Sequence, residues 1–164
     1  MKRLLFLLAV TVIIGQSCLK NDYCNECFSG PIQFGFTLMP TDILANDDTV
    51  RLIPLVYKLD TIKLYYFDGE TKKNLVLGYG NINEGGGYLV SNDISVVSAG
   101  KNINTFYLYL NQQDTDTLYF DCNLVNDGCC TYYSIDSLSY NGKKMLNYKN
   151  TNLLYAVKPQ PNIR

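Results

Sequence analysis

The chain has 164 residues, with 14 Lys and Arg side chains against 15 Asp and Glu, a formal net charge of −1 and no histidine. No basic run is longer than two residues, which excludes the clustered positive surface that nucleic-acid binding normally requires. The lack of histidine excludes Ser-His-Asp and Cys-His catalysis and every metal site that depends on imidazole.

The N-terminus has the features of a lipoprotein signal peptide. Lys2 and Arg3 precede an apolar run over residues 4–14, which is followed by Gly15-Gln16-Ser17-Cys18. This run is too short for a spanning helix, which needs roughly 20 apolar residues, and it fits the apolar core of a secretory signal. A small residue directly before Cys18 resembles a bacterial lipobox, so we predict cleavage of residues 1–17 and acylation of Cys18, with plain secretion as the alternative. Acyl chains on Cys18 would make a membrane the first predicted partner.

Several stretches alternate apolar and polar side chains as half-buried strands do. Pro54 favours an edge or a bulge in one of the weaker stretches, and the apolar phase flips between Ile135 and Leu138, which predicts a bulge there. The clearest apolar sets are Ile32, Phe34, Phe36 and Leu38 in residues 32–38, Ile62, Leu64 and Tyr66 in residues 61–67, Phe106, Leu108 and Leu110 in residues 105–110, and Leu118, Phe120 and Cys122 in residues 117–122. Weaker patterns predict strands over residues 49–57, 74–79, 87–91, 132–140 and 152–157.

Turn chemistry separates these strands. Residues 111–116 are predicted to form a polar loop, and residues 83–88 a glycine-rich loop rather than a phosphate loop, which would need a Lys-Ser/Thr pair at the start of a helix. Tight reversals are predicted at Asp68-Gly69, Ala99-Gly100, Asn126-Asp127-Gly128 and Asn141-Gly142.

The pattern predicts an all-β fold, an antiparallel β-sandwich of immunoglobulin-like or related topology, with a small closed barrel as the alternative. No long helical periodicity is visible after the signal peptide. We assign the single β-domain to residues 31–158, a tether that begins at lipidated Cys18 to residues 18–30, and a C-terminal tail to residues 159–164.

Five cysteines remain after acylation of Cys18, and all are disulfide candidates in an oxidising compartment. A hairpin turn near residues 126–128 would place Cys122 opposite Cys130, with Cys129 bonded to an N-terminal cysteine by a bridge that closes a loop of about 100 residues. The C-x-x-C spacing also allows a redox motif, or a zinc site with Cys129 and Cys130, but the strand predicted directly after it and the oxidising compartment favour disulfides. The five candidates are Cys24, Cys27, Cys122, Cys129 and Cys130.

Three segments together resemble uncharacterised small lipoproteins of Bacteroidota. They are CLKNDYC at residues 18–24, the strand after Gly30-Pro31, and DTDTLYFDCNLVNDGCC at residues 114–130. The resemblance implies a lipid-anchored outer-membrane protein, in which Cys24 and either Cys129 or Cys130 correspond to the two cysteines of the family. Lys20 and Asp22 lie where such bacteria place a signal for surface display, and the periplasmic and cell-surface faces both remain open.

Carboxylates offer two further interpretations. Paired carboxylates across a cleft would suit a glycosidase, which needs no histidine, and the clusters at residues 45–49 and 111–117 have the oxygen ligands that calcium prefers. Neither cluster follows the twelve-residue calcium loop, so we predict surface turns and no metal or cofactor. The carboxylates weighed are Asp47, Asp48, Asp60, Asp114, Asp116, Asp121, Asp127 and Asp136.

Tyrosines suggest a binding surface. Tyr65, Tyr107 and Tyr119 lie on the face opposite the apolar set of their strands, where they would form an exposed aromatic platform for a glycan or protein partner. The alternative is that they pack under a loop or the tail. We therefore predict a non-enzymatic, lipid-anchored domain that binds a partner or serves as an accessory subunit. A carboxylate-dependent hydrolase acting on envelope or extracellular glycans is the alternative function.

Overall fold

The computed structural model describes residues 30–40, 52–82, 86–127, 130–147 and 153–159. Within these ranges the chain forms two antiparallel-rich sheets, so the predicted all-β sandwich is confirmed. Its strands are β1 (Phe34–Met39), β2 (Lys63–Asp68), β3 (Thr71–Leu75), β4 (Gly78–Ile82), β5 (Gly86–Ser91), β6 (Thr105–Asn111), β7 (Asp114–Asp127), β8 (Cys130–Tyr140), β9 (Lys143–Lys144), β10 (Leu146–Asn147) and β11 (Leu154–Val157). Its helical segments are α1 (Leu52–Leu55) and α2 (Asp93–Lys101).

The smaller sheet has the strand order β10-β11-β1-β5-β4. Its neighbours are antiparallel except for β1 and β11, which run parallel with Phe36 opposite Leu154. The larger sheet has the order β3-β2-β6-β7-β8-β9, and all its neighbouring strands are antiparallel. Gly69 (φ 59°) and Asn141-Gly142 (φ 47° and 73°) make the predicted reversals, because those positions require the left-handed region.

The core lies between the two sheets, where the predicted alternation places it. Phe34 of the smaller sheet meets Phe120 of the larger sheet edge to face, with ring centroids 5.0 Å apart. The members of all four clearest predicted apolar sets lie in this core or pack against it, so the four strands predicted from them are confirmed. Side chains that are fully buried there include Leu38, Leu64, Phe106, Leu108, Leu110, Leu118 and Phe120.

Two of the weaker strand predictions are wrong. Residues 52–55 form a short helical turn, because the backbone N–H groups of Val56 and Tyr57 both donate to the carbonyl of Leu52. The predicted strand at residues 74–79 is two strands: β3 ends at Leu75 in the larger sheet, and β4 begins at Gly78 in the smaller one. The chain changes sheets between them, and Val76 is 75% exposed at that crossing.

Helix α2 is the main element that the sequence did not predict. The Ala99-Gly100 pair lies inside it, so the tight reversal predicted there is wrong, and the left-handed residue that ends the helix is Asn102 (φ 55°). The buried side of the helix consists of Ile94, Ser95 and Ser98. Two serines in place of aliphatic residues remove the apolar periodicity by which a helix is recognised.

Strands β7 and β8 form a long hairpin with one irregularity. Asp121 pairs with Ser137 and Cys122 with Ile135, so Asp136 is the extra residue of a bulge, which confirms the prediction between Ile135 and Leu138. Beyond the bulge, residues 123–127 and 130–134 form what we call the distal ribbon, where Leu124 and Tyr132 are exposed. The hairpin between β6 and β7 is tighter than the predicted loop, since Asn111 already pairs with Asp114.

Candidate functional site

The side of the larger sheet that faces away from the core carries the predicted tyrosines. Tyr65 of β2 pairs with Tyr107 of β6, and Tyr119 of β7 pairs with Thr105. Because paired residues of an antiparallel ladder share a face, all three tyrosines lie on the same side. Phe67 follows Tyr65 by two residues and therefore joins them. We call Tyr65, Phe67, Tyr107 and Tyr119 the outer aromatic face.

The rings of this face are packed at one end and open at the other. Tyr65 stacks on Tyr107 with ring centroids 5.3 Å apart and planes 18° apart, and Phe67 meets both rings edge to face. The Nζ of Lys72 lies 3.6 Å above the ring of Tyr65, which is 9% exposed. Phe67 is 44% exposed and Tyr119 is 36% exposed. The ring of Tyr65 is therefore covered by its neighbours, while the rings of Phe67 and Tyr119 are accessible to a ligand.

The surroundings of the outer aromatic face are rich in hydroxyl groups. The ladder registers place no aliphatic side chain on this side of the described strands β2, β3, β6 and the first half of β7. The residues that share it are Lys63, Lys72, Asn74, Thr105, Tyr109, Thr115, Thr117, Asp121, Ser137, Ser139 and Lys144. The face can therefore offer flat apolar rings together with hydrogen-bonding groups and an excess of positive charge.

Phe67 is the residue of this face that the sequence interpretation missed. The signal was its spacing of two residues from Tyr65, which places it on the same side of β2. Among the described residues, no ring contact joins Tyr119 to the packed cluster. The structure therefore brings Tyr65 and Tyr107 into contact and leaves Tyr119 as a separate exposed ring one strand away.

A buried charged group lies at the other side of the larger sheet. The Nζ of Lys158, which follows β11, is 2.8 Å from Oδ1 of Asp114 and 2.5 Å from Oδ2 of Asp116. Asp116 and Lys158 are only 6% and 9% exposed. The position of Lys158 is fixed by its own backbone N–H, which donates to the carbonyl of Met39 over 2.7 Å. Three ionisable groups are thus held in direct contact, with Lys158 and Asp116 buried and the side chain of Asp114 22% exposed.

Neutral donors complete this group, which we call the Lys158 cluster: Lys158, Asp114, Asp116, Tyr57, Tyr140 and Asn141. The Tyr57 hydroxyl donates to Oδ2 of Asp114 over 2.6 Å, and the Tyr140 hydroxyl donates to Oδ2 of Asp116. The Asn141 amide donates to Oδ1 of Asp116 over 2.7 Å. Every carboxylate oxygen of the pair therefore accepts at least one hydrogen bond.

The electrostatics of the Lys158 cluster follow from burial and these contacts. Burial, and then the hydrogen bonds and charges of the aspartates, raise the pKa of both Tyr57 and Tyr140, so both hydroxyls stay protonated. Burial alone would lower the pKa of Lys158, but its hydrogen bonds to Asp114 and Asp116 outweigh burial and raise it. The charged ammonium is thus stable as long as both carboxylates are ionised.

This geometry differs from that of a glycosidase. Asp114 and Asp116 are two residues apart on one strand and share a lysine, whereas paired catalytic carboxylates face each other across a cleft. Two concavities, of about 390 Å³ and 170 Å³, lie elsewhere in the described part of the chain and contain one carboxylate each, Asp136 and Asp93. Asp60 and Asp127 are exposed, and Asp47 and Asp48 lie outside the described residues.

The calcium interpretation of residues 111–117 is not supported by the contacts. The carboxylate oxygens of Asp114 and Asp116 already accept hydrogen bonds from protein groups, including an ammonium. Within the described ranges, no group of three or more His, Cys, Asp or Glu side chains has a metal-binding arrangement. The second cluster, at residues 45–49, lies outside the described residues.

The cysteine pairing predicted across the β7–β8 hairpin is wrong. Cys130 lies opposite Asp127, whereas Cys122 lies opposite Ile135, so the two are separated by five residues of strand, or about 17 Å. A disulfide requires Cα atoms within about 7 Å. Cys122 is a free, buried thiol whose pKa is raised by burial and by the charges of Asp136 and Asp121. Cys130 is disulfide-bonded, while Cys18, Cys24, Cys27 and Cys129 lie outside the described residues.

No family model, curated protein or solved structure matches this chain. Neither described helix is long and apolar enough to cross a bilayer.

Proposed function

We propose that this protein is a lipid-anchored envelope lipoprotein of the outer membrane whose β-domain is a non-enzymatic binding module. The observation that carries the proposal is the outer aromatic face, where Phe67 and Tyr119 remain exposed on a side to which the described strands β2, β3, β6 and the first half of β7 contribute no aliphatic residue. Exposed aromatic area on a rigid sheet is a common basis of recognition, because the rings lose little conformational entropy on binding.

The chemistry of this face fits a glycan better than a protein. Sugar rings present C–H faces that pack on aromatic rings, and their hydroxyls pair with Thr, Ser and Tyr hydroxyls such as those around Tyr107. The centre of a protein interface is typically enriched in Met and Arg as well as aromatic residues, and neither occurs among the described residues on this side of the sheet. Lys63 and Lys72 add positive charge, which would also permit an acidic sugar.

The test measures binding to immobilised neutral polysaccharides and to polysaccharides that contain uronic acids. The variant Phe67→Ala/Tyr119→Ala removes both open rings, and we expect a loss of affinity of about fivefold or more, since each aromatic contact contributes about 0.5–1.5 kcal/mol. Tyr132→Ala is the matched control, because Tyr132 is similarly exposed, at 42%, but lies in the distal ribbon. Its affinity should stay within about twofold of the wild type.

Two outcomes would contradict this proposal. If the domain binds none of the polysaccharides, the proposal that its ligand is a glycan is wrong. If the double variant binds as well as the wild type, or Tyr132→Ala loses as much, the outer aromatic face is not the binding surface. Thermal melts accompany each variant so that unfolding is not mistaken for loss of binding.

The anchor is tested separately with a Cys18→Ala variant. Cell fractionation should find the wild type with membranes and the variant in the soluble fraction, because stable anchoring depends on acyl chains. Proteinase treatment of intact cells then distinguishes the two faces of the outer membrane: degradation indicates surface display, and protection until permeabilisation indicates the periplasm. Membrane association that survives Cys18→Ala would refute acylation as the anchor.

A further inference from the structure

The Lys158 cluster holds an amine in direct contact with two carboxyl groups. Nζ of Lys158 is in contact with both aspartates, at 2.8 Å from Asp114 and 2.5 Å from Asp116, inside a site from which most water is excluded. Effective concentrations of groups held in this way are orders of magnitude above those in solution. The contact joins residues 44 positions apart in the chain.

The charge balance of the cluster favours a reaction that removes charge. Two carboxylates and one ammonium are buried together, and burying ions is costly even when they are paired. The two tyrosine hydroxyls and the Asn141 amide compensate in part by donating to the carboxylates. Condensation of the ammonium with one carboxylate to a neutral amide would remove two buried charges and leave the second carboxylate with its donors.

We infer that Lys158 and Asp114 form an intramolecular isopeptide bond, with Asp116 as the proton-transfer group. Asp114 is the better acyl partner because its side chain is 22% exposed, against 8% for Asp116, so the water that is released has a path to solvent. Asp116 is held through both oxygens by Tyr140 and Asn141, which suits a group that is regenerated rather than consumed.

The reaction balances without any co-reactant. A proton passes from the Lys158 ammonium through Asp116 to the Asp114 carboxylate, which gives an amine, a neutral carboxylic acid and an ionised Asp116. The amine then attacks Cγ of Asp114, and the Tyr57 hydroxyl, which donates to Oδ2 of Asp114, stabilises the oxygen that gains charge. Asp116 takes a proton from the nitrogen and transfers it to the leaving hydroxyl. The C–O bond breaks, one water is released, and the amide remains.

The structural consequence is a covalent link between the two sheets. Lys158 follows β11 of the smaller sheet, and Asp114 is the first residue of β7 in the larger sheet. The bond would close the sandwich at the end where the chain leaves β11, and would restrict separation of the sheets under heat or mechanical load.

The test is mass spectrometry of the reduced and alkylated full chain after trypsin digestion. Lys158 precedes Pro159, so trypsin does not cut there, and the expected product is peptide 102–143 joined to peptide 150–164, lighter than their sum by one water. Lys158→Arg keeps a cation without a nucleophilic amine, so its two peptides should be separate. Asp116→Asn should also leave them separate, or join them much more slowly, because it lacks the proton acceptor.

Asp114→Asn identifies the acyl partner. Condensation at the side-chain amide of this variant releases ammonia instead of water and gives the same product, so the joined peptide should have the same mass as that of the wild type. Separate wild-type peptides would overturn the inference even if the Lys158→Arg variant fails to fold. A bond located at Asp116 by fragmentation would overturn the assignment of Asp114.

Discussion

Ser98 is predicted to fasten helix α2 to strand β7 through one buried backbone amide. The N–H of Cys122 donates to Oγ of Ser98 over 2.9 Å, and the Ser98 hydroxyl can donate in turn to the Phe120 carbonyl or to the Asn104 side chain, both at 3.0 Å. Ser98 and Cys122 are each 1% exposed. Ser98→Ala therefore leaves the Cys122 amide without a partner and without water.

Ser95→Ala is the reference variant for the loss of stability expected in Ser98→Ala. Ser95 is also buried on helix α2, but its hydroxyl donates to the carbonyls of Ile32 and Asn92, and no backbone N–H of the described residues donates to it. An unsatisfied buried donor costs about 1–3 kcal/mol, while the gain in helix propensity from Ser to Ala, a few tenths of a kcal/mol, is common to both variants. We expect Ser98→Ala to lose about 1–2 kcal/mol more than Ser95→Ala.

Urea unfolding of both variants measures this difference, and thermal melts check it. A difference of this size corresponds to a midpoint lower by roughly 2–8 °C in Ser98→Ala than in Ser95→Ala. Hydrogen exchange should show faster exchange at the Cys122 amide in Ser98→Ala alone. Equal losses in the two variants, or a larger loss in Ser95→Ala, would refute the argument from the unsatisfied amide.

Two further predictions concern close packing and a buried thiol. A Cβ at Gly87 would lie 2.0 Å from the ring of Tyr79, which is 36% exposed and must move aside, so Gly87→Ala should cost about 0.5–1.5 kcal/mol in urea unfolding. Adding Tyr79→Ala should recover much of that loss, and a double variant as unstable as the sum of the single variants would contradict the clash. Cys122 should react with iodoacetamide in mildly alkaline buffer only after unfolding, because burial hides it and its raised pKa lowers the thiolate fraction. Rapid alkylation of Cys122 in the folded protein, found by peptide mapping, would show the opposite.

The sequence predicts those strands well that bury one side and expose the other. Phe106, Leu108 and Leu110 alternate with residues that are exposed or half-buried, and the structure buries all three completely. The bulge near Asp136 was also predictable, because a phase change in a period of two residues requires an extra residue if both halves are to face the core.

Prediction from the sequence fails where an element is stabilised by tertiary contacts rather than by a local apolar pattern. Helix α2 buries two serines that hydrogen-bond to distant backbone groups, so its buried side does not look apolar. Residues 74–79 look like one strand because their composition does not reveal that the chain changes sheets at Val76.

Of the two candidate sites, one could be predicted from local sequence patterns and the other could not. Tyr65, Tyr107 and Tyr119 were found from strand alternation, since a shared side follows from spacing once the strands are adjacent. The Lys158 cluster could not be found, because its members are brought together by pairing that no local pattern encodes. Asp114 and Asp116 looked like turn residues, and nothing near Lys158 indicated that its ammonium would meet them.

Two-dimensional NMR of the isotopically labelled domain, titrated with a fragment of the polysaccharide that it binds most tightly, tests the proposed binding surface most directly. We expect the shifts to concentrate on the rings of Phe67, Tyr107 and Tyr119 and on neighbouring Thr and Ser residues, with little change at Leu124 and Tyr132 of the distal ribbon. Shifts confined to the distal ribbon or to the concavity beside Asp136 would contradict it, because the ligand would then bind away from the outer aromatic face.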